Sequence, residues 1–157
     1  MVPPNQFAAE IIRPVLEHLE KTDRRLNSIE AEKILLGTAI AESRLSDLRQ
    51  KGGPALSMFQ IEPSTFEDIF LRYLPDQRPD LLAAIEKLVF PAFTPLVQLP
   101  GNQHLACAIA RIRYWMDPAP LPKDINGLAN YWKRVYNASG RGSPQHWAML
   151  YRYYSPE

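Results

Sequence analysis

Glu42 is the residue in this chain around which chemistry can be built. It follows Leu35, Thr38 and Ala39 by seven, four and three positions, so in a helix it shares their apolar flank. Burial on that flank disfavours the ionised carboxyl and raises its pKa. A carboxyl that keeps its proton near neutral pH can serve as a general acid, the role needed to cleave a glycosidic bond. Ser43 comes next, and beyond a Lys51-Gly52-Gly53-Pro54 turn the run Met58-Phe59-Gln60-Ile61 carries one amide among apolar side chains. Hydroxyls and amides suit polar sugar groups, and Met and aromatic side chains offer apolar contact to sugar faces. Asp47 and Glu62 are the nearby acids that would supply a second carboxylate, and the separation of the two carboxyls would then decide the stereochemistry. The plain reading of Glu42 is a solvated or salt-bridged acid near a helix end.

The elements that must hold these residues are helical. Ile34, Leu35, Thr38, Ala41 and Leu45 recur at spacings of three and four, with Asn27 and Ser28 competing as N-cap and Glu30 and Glu32 suited to the positive helix end. Before this helix, Phe7, Ile11, Ile12, Val15, Leu16 and Leu19 mark an amphipathic helix over about 5–21, kinked at Pro14. After it, Pro63 stops the Met58–Ile61 run, and Ser64 with Glu67 predicts a capping box for a helix to about Leu74. Pro79-Asp80 starts another, through Phe90. Three prolines between Pro91 and Gly101 predict a loop, packed down by Phe93, Leu96, Val97 and Leu99. Residues 102–116 predict the most buried helix, with Leu105, Ala108, Ile109, Ile112 and Trp115 in register. Asp124 caps a helix to about Tyr136, and Ser143-Pro144 opens the last one. No long alternating strand is present; at most, 46–61 makes a small hairpin. The expected fold is mainly α, a helical bundle around a central buried helix with that hairpin beside the cleft.

Composition narrows the rest. A chain of 157 residues fits one domain, 1–157. A net charge of +1 gives no nucleic-acid footprint. Cys107, the single cysteine, excludes an internal disulfide and sits among Ala106, Ala108 and Ile109 as a small hydrophobe. His18, His104 and His146 lack the paired spacing of a zinc site. No metal or organic cofactor is expected. The N-terminus lacks the basic start and unbroken apolar core of a signal peptide, and no run reaches a membrane span. Trp132 and Tyr136 at helical spacing read first as core. Arg111, Arg113, Arg134 and Arg141 read as solvated, with Arg141 also placed to meet an anionic peptide stem.

Three motifs then fall in one order. Glu42-Ser43 ends a helix; Ser57-Met58-Phe59-Gln60-Ile61-Glu62-Pro63-Ser64-Thr65 follows; Tyr136-Asn137-Ala138 comes late. Together they resemble the soluble lytic transglycosylase family of the lysozyme-like fold. That family has Glu-Ser followed by Gly, two apolar residues, Gln, Ile, any residue, Pro, any residue and Thr, and a later Tyr-Asn-Ala. Residues 102–114 are similar to its central helix, so the resemblance spans about 34–142. It implies that Glu42 is the catalytic acid and later the base, and that Ser43 orients the acid or an N-acetyl group. It also implies that Met58, Phe59 and Gln60 line a saccharide groove, that Tyr136 lies against Glu42, and that Asn137 holds a loop or binds sugar. The implied reaction cuts peptidoglycan between N-acetylmuramic acid and N-acetylglucosamine, the substrate's own hydroxyl closing a 1,6-anhydro ring. The alternatives are a hydrolytic muramidase and a non-catalytic virion or peptidoglycan-binding protein. The implied partners are glycan strands, with a virion or secretion-machinery component as a further one. The missing leader fits a bacteriophage lytic or virion-associated enzyme that acts in the cell wall after leaving the virion or host cytoplasm by other means. Ser57 stands where the family has Gly, a place that calls for positive φ or close backbone approach; a Cβ there would narrow the groove.

Overall fold

The computed structural model describes residues 1–155, and they form a mainly helical protein. Helix α1 spans 4–20 as Pro4–Phe7, a π-turn Ala8–Ile12, and Arg13–Glu20. Pro14 has no N–H to give the ladder. The wider turn ahead of it runs from the Arg13 N–H to the Ala8 carbonyl. His104 meets the Glu10 carbonyl at 2.9 Å, which places the ring proton on Nε2. The expected kink is thus a π-turn. Helix α3 repeats the device over 63–77, with Pro63–Glu67, a π-turn Asp68–Tyr73, and Leu74–Gln77 carrying Pro75.

Helix α2, Ile29–Ser43, starts on Ser28, whose hydroxyl accepts from the Ala31 N–H. It is buried on every side from Ile34 to Ile40. Helix α4 is Pro79–Glu86, ending four residues before the expected Phe90. The Pro-rich stretch holds a short helix α5, Pro95–Gln98, pinned down as Gln98 Nε2 donates to carbonyls of Phe90, Phe93 and Thr94. Helix α6, Gln103–Trp115, is capped by Asn102 and buried from Leu105 to Ile112. Its alanines let α1, α2 and α3 pack around it. Helix α7, Ile125–Val135, is capped by Asp124, and α8, Pro144–Tyr154, by Ser143. Helix α8 lies across α2 and α7.

The start of α3 also differs from expectation. Ser64 does not cap α3, because Pro63 already occupies the first helical position and Glu62 becomes the N-cap with no side-chain bond. Proline supplies the helical φ and has no N–H needing a cap.

Between α2 and α3 the chain makes two antiparallel bridges, Arg49 with Leu56 and Leu56 with Ile61. Gln50 N–H donates to Ala55 O, and Leu56 and Ile61 exchange both backbone bonds, each at 2.8 Å. This is as much β-structure as the described residues contain.

Candidate active site

Glu42 sits in the last turn of α2, half-buried, on the wall of a cleft of about 540 Å³. The cleft is also lined by Asp47, Gln60, Glu62, Thr65, Arg113, Tyr136, Asn137 and Gly140. Burial pushes the Glu42 carboxyl above its ordinary value. The Asn137 amide, the Trp132 indole, Arg113 and Lys133 oppose that rise without cancelling it. Asn137 Nδ2 donates to Glu42 Oε1 at 3.3 Å. Trp132 Nε1 is buried and has no hydrogen-bond partner at normal distance, so its pull on the carboxyl is that of a nearby N–H dipole.

Asn137 is held in turn by Lys133, whose Nζ reaches Asn137 O at 3.0 Å, Asn137 Oδ1 at 3.2 Å and Gly140 O at 2.8 Å. A Cβ at Gly140 would lie 2.5 Å from Asn137 Oδ1, so a larger residue there would have to displace the amide. Tyr136 closes the floor. Its hydroxyl donates to Phe59 O at 2.7 Å, its ring stacks on Tyr114 at 5.3 Å, and Arg113 lies over it at 4.5 Å. Tyr114 reaches back to Thr38 on α2 through a 2.7 Å hydroxyl contact. The acid, its amide partner and the floor therefore come from α2, the residues that follow α7 and the 57–61 segment, locked together.

The structure gathers Glu42, Gln60, Tyr136 and Asn137 at this cleft and turns four other candidates inward. Ser43 is buried, and its hydroxyl lies 2.7 Å from Met58 O and 3.0 Å from Ala39 O, tying the segment to α2. Phe59 is fully buried against Phe7, with ring centres 5.6 Å apart. Met58 faces a separate apolar recess with Phe7 and Ile11. Their contact is with α1, where the sequence reading has them on a saccharide groove. Gln60 donates from Nε2 to Ser57 O at 2.8 Å and keeps its side-chain carbonyl free for the cleft.

Ser57 has φ +72° and is fully buried. The left-handed backbone expected of a family glycine is present; a narrowed groove is not, because the side chain points into the protein. Its hydroxyl accepts from Phe59 N–H at 3.1 Å, and its own N–H donates to Leu48 O at 2.7 Å. Ser57→Gly should relieve a backbone cost of ~1–2 kcal/mol while losing a hydrogen bond worth ~1 kcal/mol. The denaturation midpoint should therefore move little. Ser57→Ala keeps the cost and loses the bond, and should destabilise by about 1 kcal/mol.

Arg113 and Lys133 were not singled out by sequence for this site. The spacing of Lys133 four residues before Asn137 was the available signal. Arg134 is exposed, as read, and also forms a two-point pair with Asp117 at 2.8 and 3.1 Å. Among the described residues no group of His, Cys, Asp and Glu is disposed to hold a metal, and no helix is long and apolar enough to cross a membrane.

The raised Glu42 carboxyl has a stability consequence. The folded protein holds that proton more tightly than the unfolded chain. The contribution is complete below the ordinary carboxyl range and is lost as pH rises through the folded value. Asn137→Ala removes a donor that favours the carboxylate, so the Glu42 midpoint should move further up. Carbon NMR titration of the Glu42 carboxyl reads this directly, and an unchanged or lower midpoint would refute the electrostatic role given to Asn137.

Compared with known proteins, the chain matches no family model, no curated protein and no solved structure.

Proposed function

We propose that this protein is a lysozyme-like enzyme that cleaves the β-1,4 bond between N-acetylmuramic acid and N-acetylglucosamine in peptidoglycan, with Glu42 as the single acid and base. The observation that carries the reading is a carboxyl with a raised pKa in an open polar cleft, partnered by the neutral Asn137 amide rather than by a salt bridge. Protonated Glu42 gives its proton to the bridging oxygen as the bond from that oxygen to the anomeric carbon breaks. The carboxylate left behind then takes the proton from the sugar's C6 hydroxyl as that oxygen closes on the anomeric carbon. Proton and electron pair balance within one residue and one substrate, and the product is a 1,6-anhydro end. Gln60, with an unbonded amide carbonyl, is placed to receive a hydroxyl or N-acetyl N–H from the sugar.

Hydrolysis by a muramidase is the second reading. Asp47 and Glu62 line the same cleft as Glu42, so a second carboxylate is present to activate water. Mass spectrometry of muropeptides released from purified walls separates the two. Anhydro ends support the single-acid mechanism, reducing ends support hydrolysis, and no release from walls that the protein binds refutes the enzymatic reading.

A further inference from the structure

A second cleft, of about 500 Å³, lies between the start of α2, the end of α6 and the 117–123 loop. Arg111 is one of its walls, although that residue is only 3% exposed. Its Nε donates to Leu26 O at 2.8 Å, and neither Nη makes a hydrogen bond or ion pair among the described residues. A buried arginine normally finds a carboxylate, because an unpaired charge taken out of water is costly. The cost is visible here, as burial holds the guanidinium below its usual range, at about 10.

The nearby acids are already engaged. Asp23 is shared by Arg25 and Arg78 at 2.8 and 3.2 Å. Asp117 takes Arg134 on both oxygens and the Tyr131 hydroxyl at 3.0 Å. Glu30 stands on the rim and, among the described residues, forms no hydrogen bond or ion pair with Arg111. Lys123, also on the rim, has no acidic partner. Trp115 forms one side, with Arg25, Arg78 and Arg111 4.9, 5.7 and 5.9 Å from its ring centre. Pro118, Ala119 and Leu121 make the remainder apolar.

We propose that this cleft binds a carboxylate carried on a small aliphatic body, such as the C-terminal end of a short peptide, with the two free Nη atoms of Arg111 as its fork. A planar guanidinium matches the two oxygens of a carboxylate. Lys123 adds charge at the mouth, and the Pro118–Leu121 wall accommodates the side chain next to the carboxylate. The site shares no lining residue with the Glu42 cleft, so it stands independently of the reaction proposed there.

The test is an NMR titration of the intact protein with acetyl-Ala-Ala, its C-terminal amide and inorganic phosphate. The readout is the indole N–H of Trp115, assigned by Trp115→Phe. The free acid should saturate the shift, and the amide should bind at least tenfold more weakly. Lys123→Ala is an exposed change that leaves the fold intact and should weaken binding severalfold. Arg111→Lys keeps the charge and loses the fork, and Arg111→Gln removes the charge; each should weaken binding tenfold or more. If Arg111→Gln does not fold, Arg111→Lys and Lys123→Ala decide. Equal binding of acid and amide, unchanged binding by a folded Arg111 variant, or no saturable shift would overturn the site. Saturation by phosphate but not by the peptide acid would overturn the carboxylate assignment.

Discussion

Glu42→Gln should lower cleavage of purified glycan strands by at least the 10²–10⁴-fold typical of a general acid–base group, and by more if the same carboxyl serves both halves of the reaction. The amide keeps the shape and can still meet Asn137, so circular dichroism should not change. Stability at neutral pH should rise, because the variant no longer has to lose a proton from a half-buried carboxyl whose pKa is raised in the fold. Glu62→Gln is the control. If Glu42→Gln clears walls as fast as the parent while Glu62→Gln does not, the acid is Glu62 and the mechanism above is wrong. In the parent, the rate should fall as pH rises through the raised Glu42 value, since only the protonated form can act.

The largest stability effect is expected where α8 crosses α2. The Trp147 ring lies against Gly37, and a Cβ built on that glycine would fall 2.0 Å from it. Gly37→Ala must push the indole out of a close-packed site, and overpacking of this kind costs about 1–3 kcal/mol or more. Trp147→Ala should cost about 3–5 kcal/mol through the cavity it leaves. Trp147→Phe should be milder, because it also removes an indole N–H that is buried without a partner. The two sites touch, so they should not be additive. Gly37→Ala combined with Trp147→Phe should be more stable than the sum of the single changes implies, as measured by urea unfolding. Simple additivity would mean that α8 shifts as a body rather than the ring yielding.

Several helix starts were legible from a local chemical cause. Asp124 and Ser143 accept backbone N–H groups as their types and positions indicate, and Ser28 rather than Asn27 caps α2, whereas Ser64 does not cap α3. The burial of α2 and α6 was legible from their apolar runs. The facing of 57–61 was not. Five residues of mixed character have no usable period, and here two left-handed residues, Ser57 and Gln60, curl the segment so that Phe59 turns into the core. Asn137 could be found by motif and Lys133 only by its spacing of four from Asn137, but Arg113 could not, since a charged residue on a helix gives no sign of which ring it will meet. Arg111, read as solvated with the other arginines, is instead buried: it lies among the buried residues of α6 with its charge turned to a cleft.

The π-turns set the rotational register of what precedes them. In α1 the Arg13 N–H reaches back five residues, to Ala8, where an α-turn would reach four. Removing one residue from Ala8–Ile12 would restore the narrower turn and rotate 4–7 by about 100° relative to 13–20. Phe7 would then leave the Phe59 ring it now meets at 5.6 Å. The 57–61 segment would lose the wall behind it while Tyr136 still held its carbonyl from the other side. A single-residue deletion far from Glu42 in sequence would thus act on the cleft by rotation, and a deletion in the 117–123 loop would leave that contact untouched.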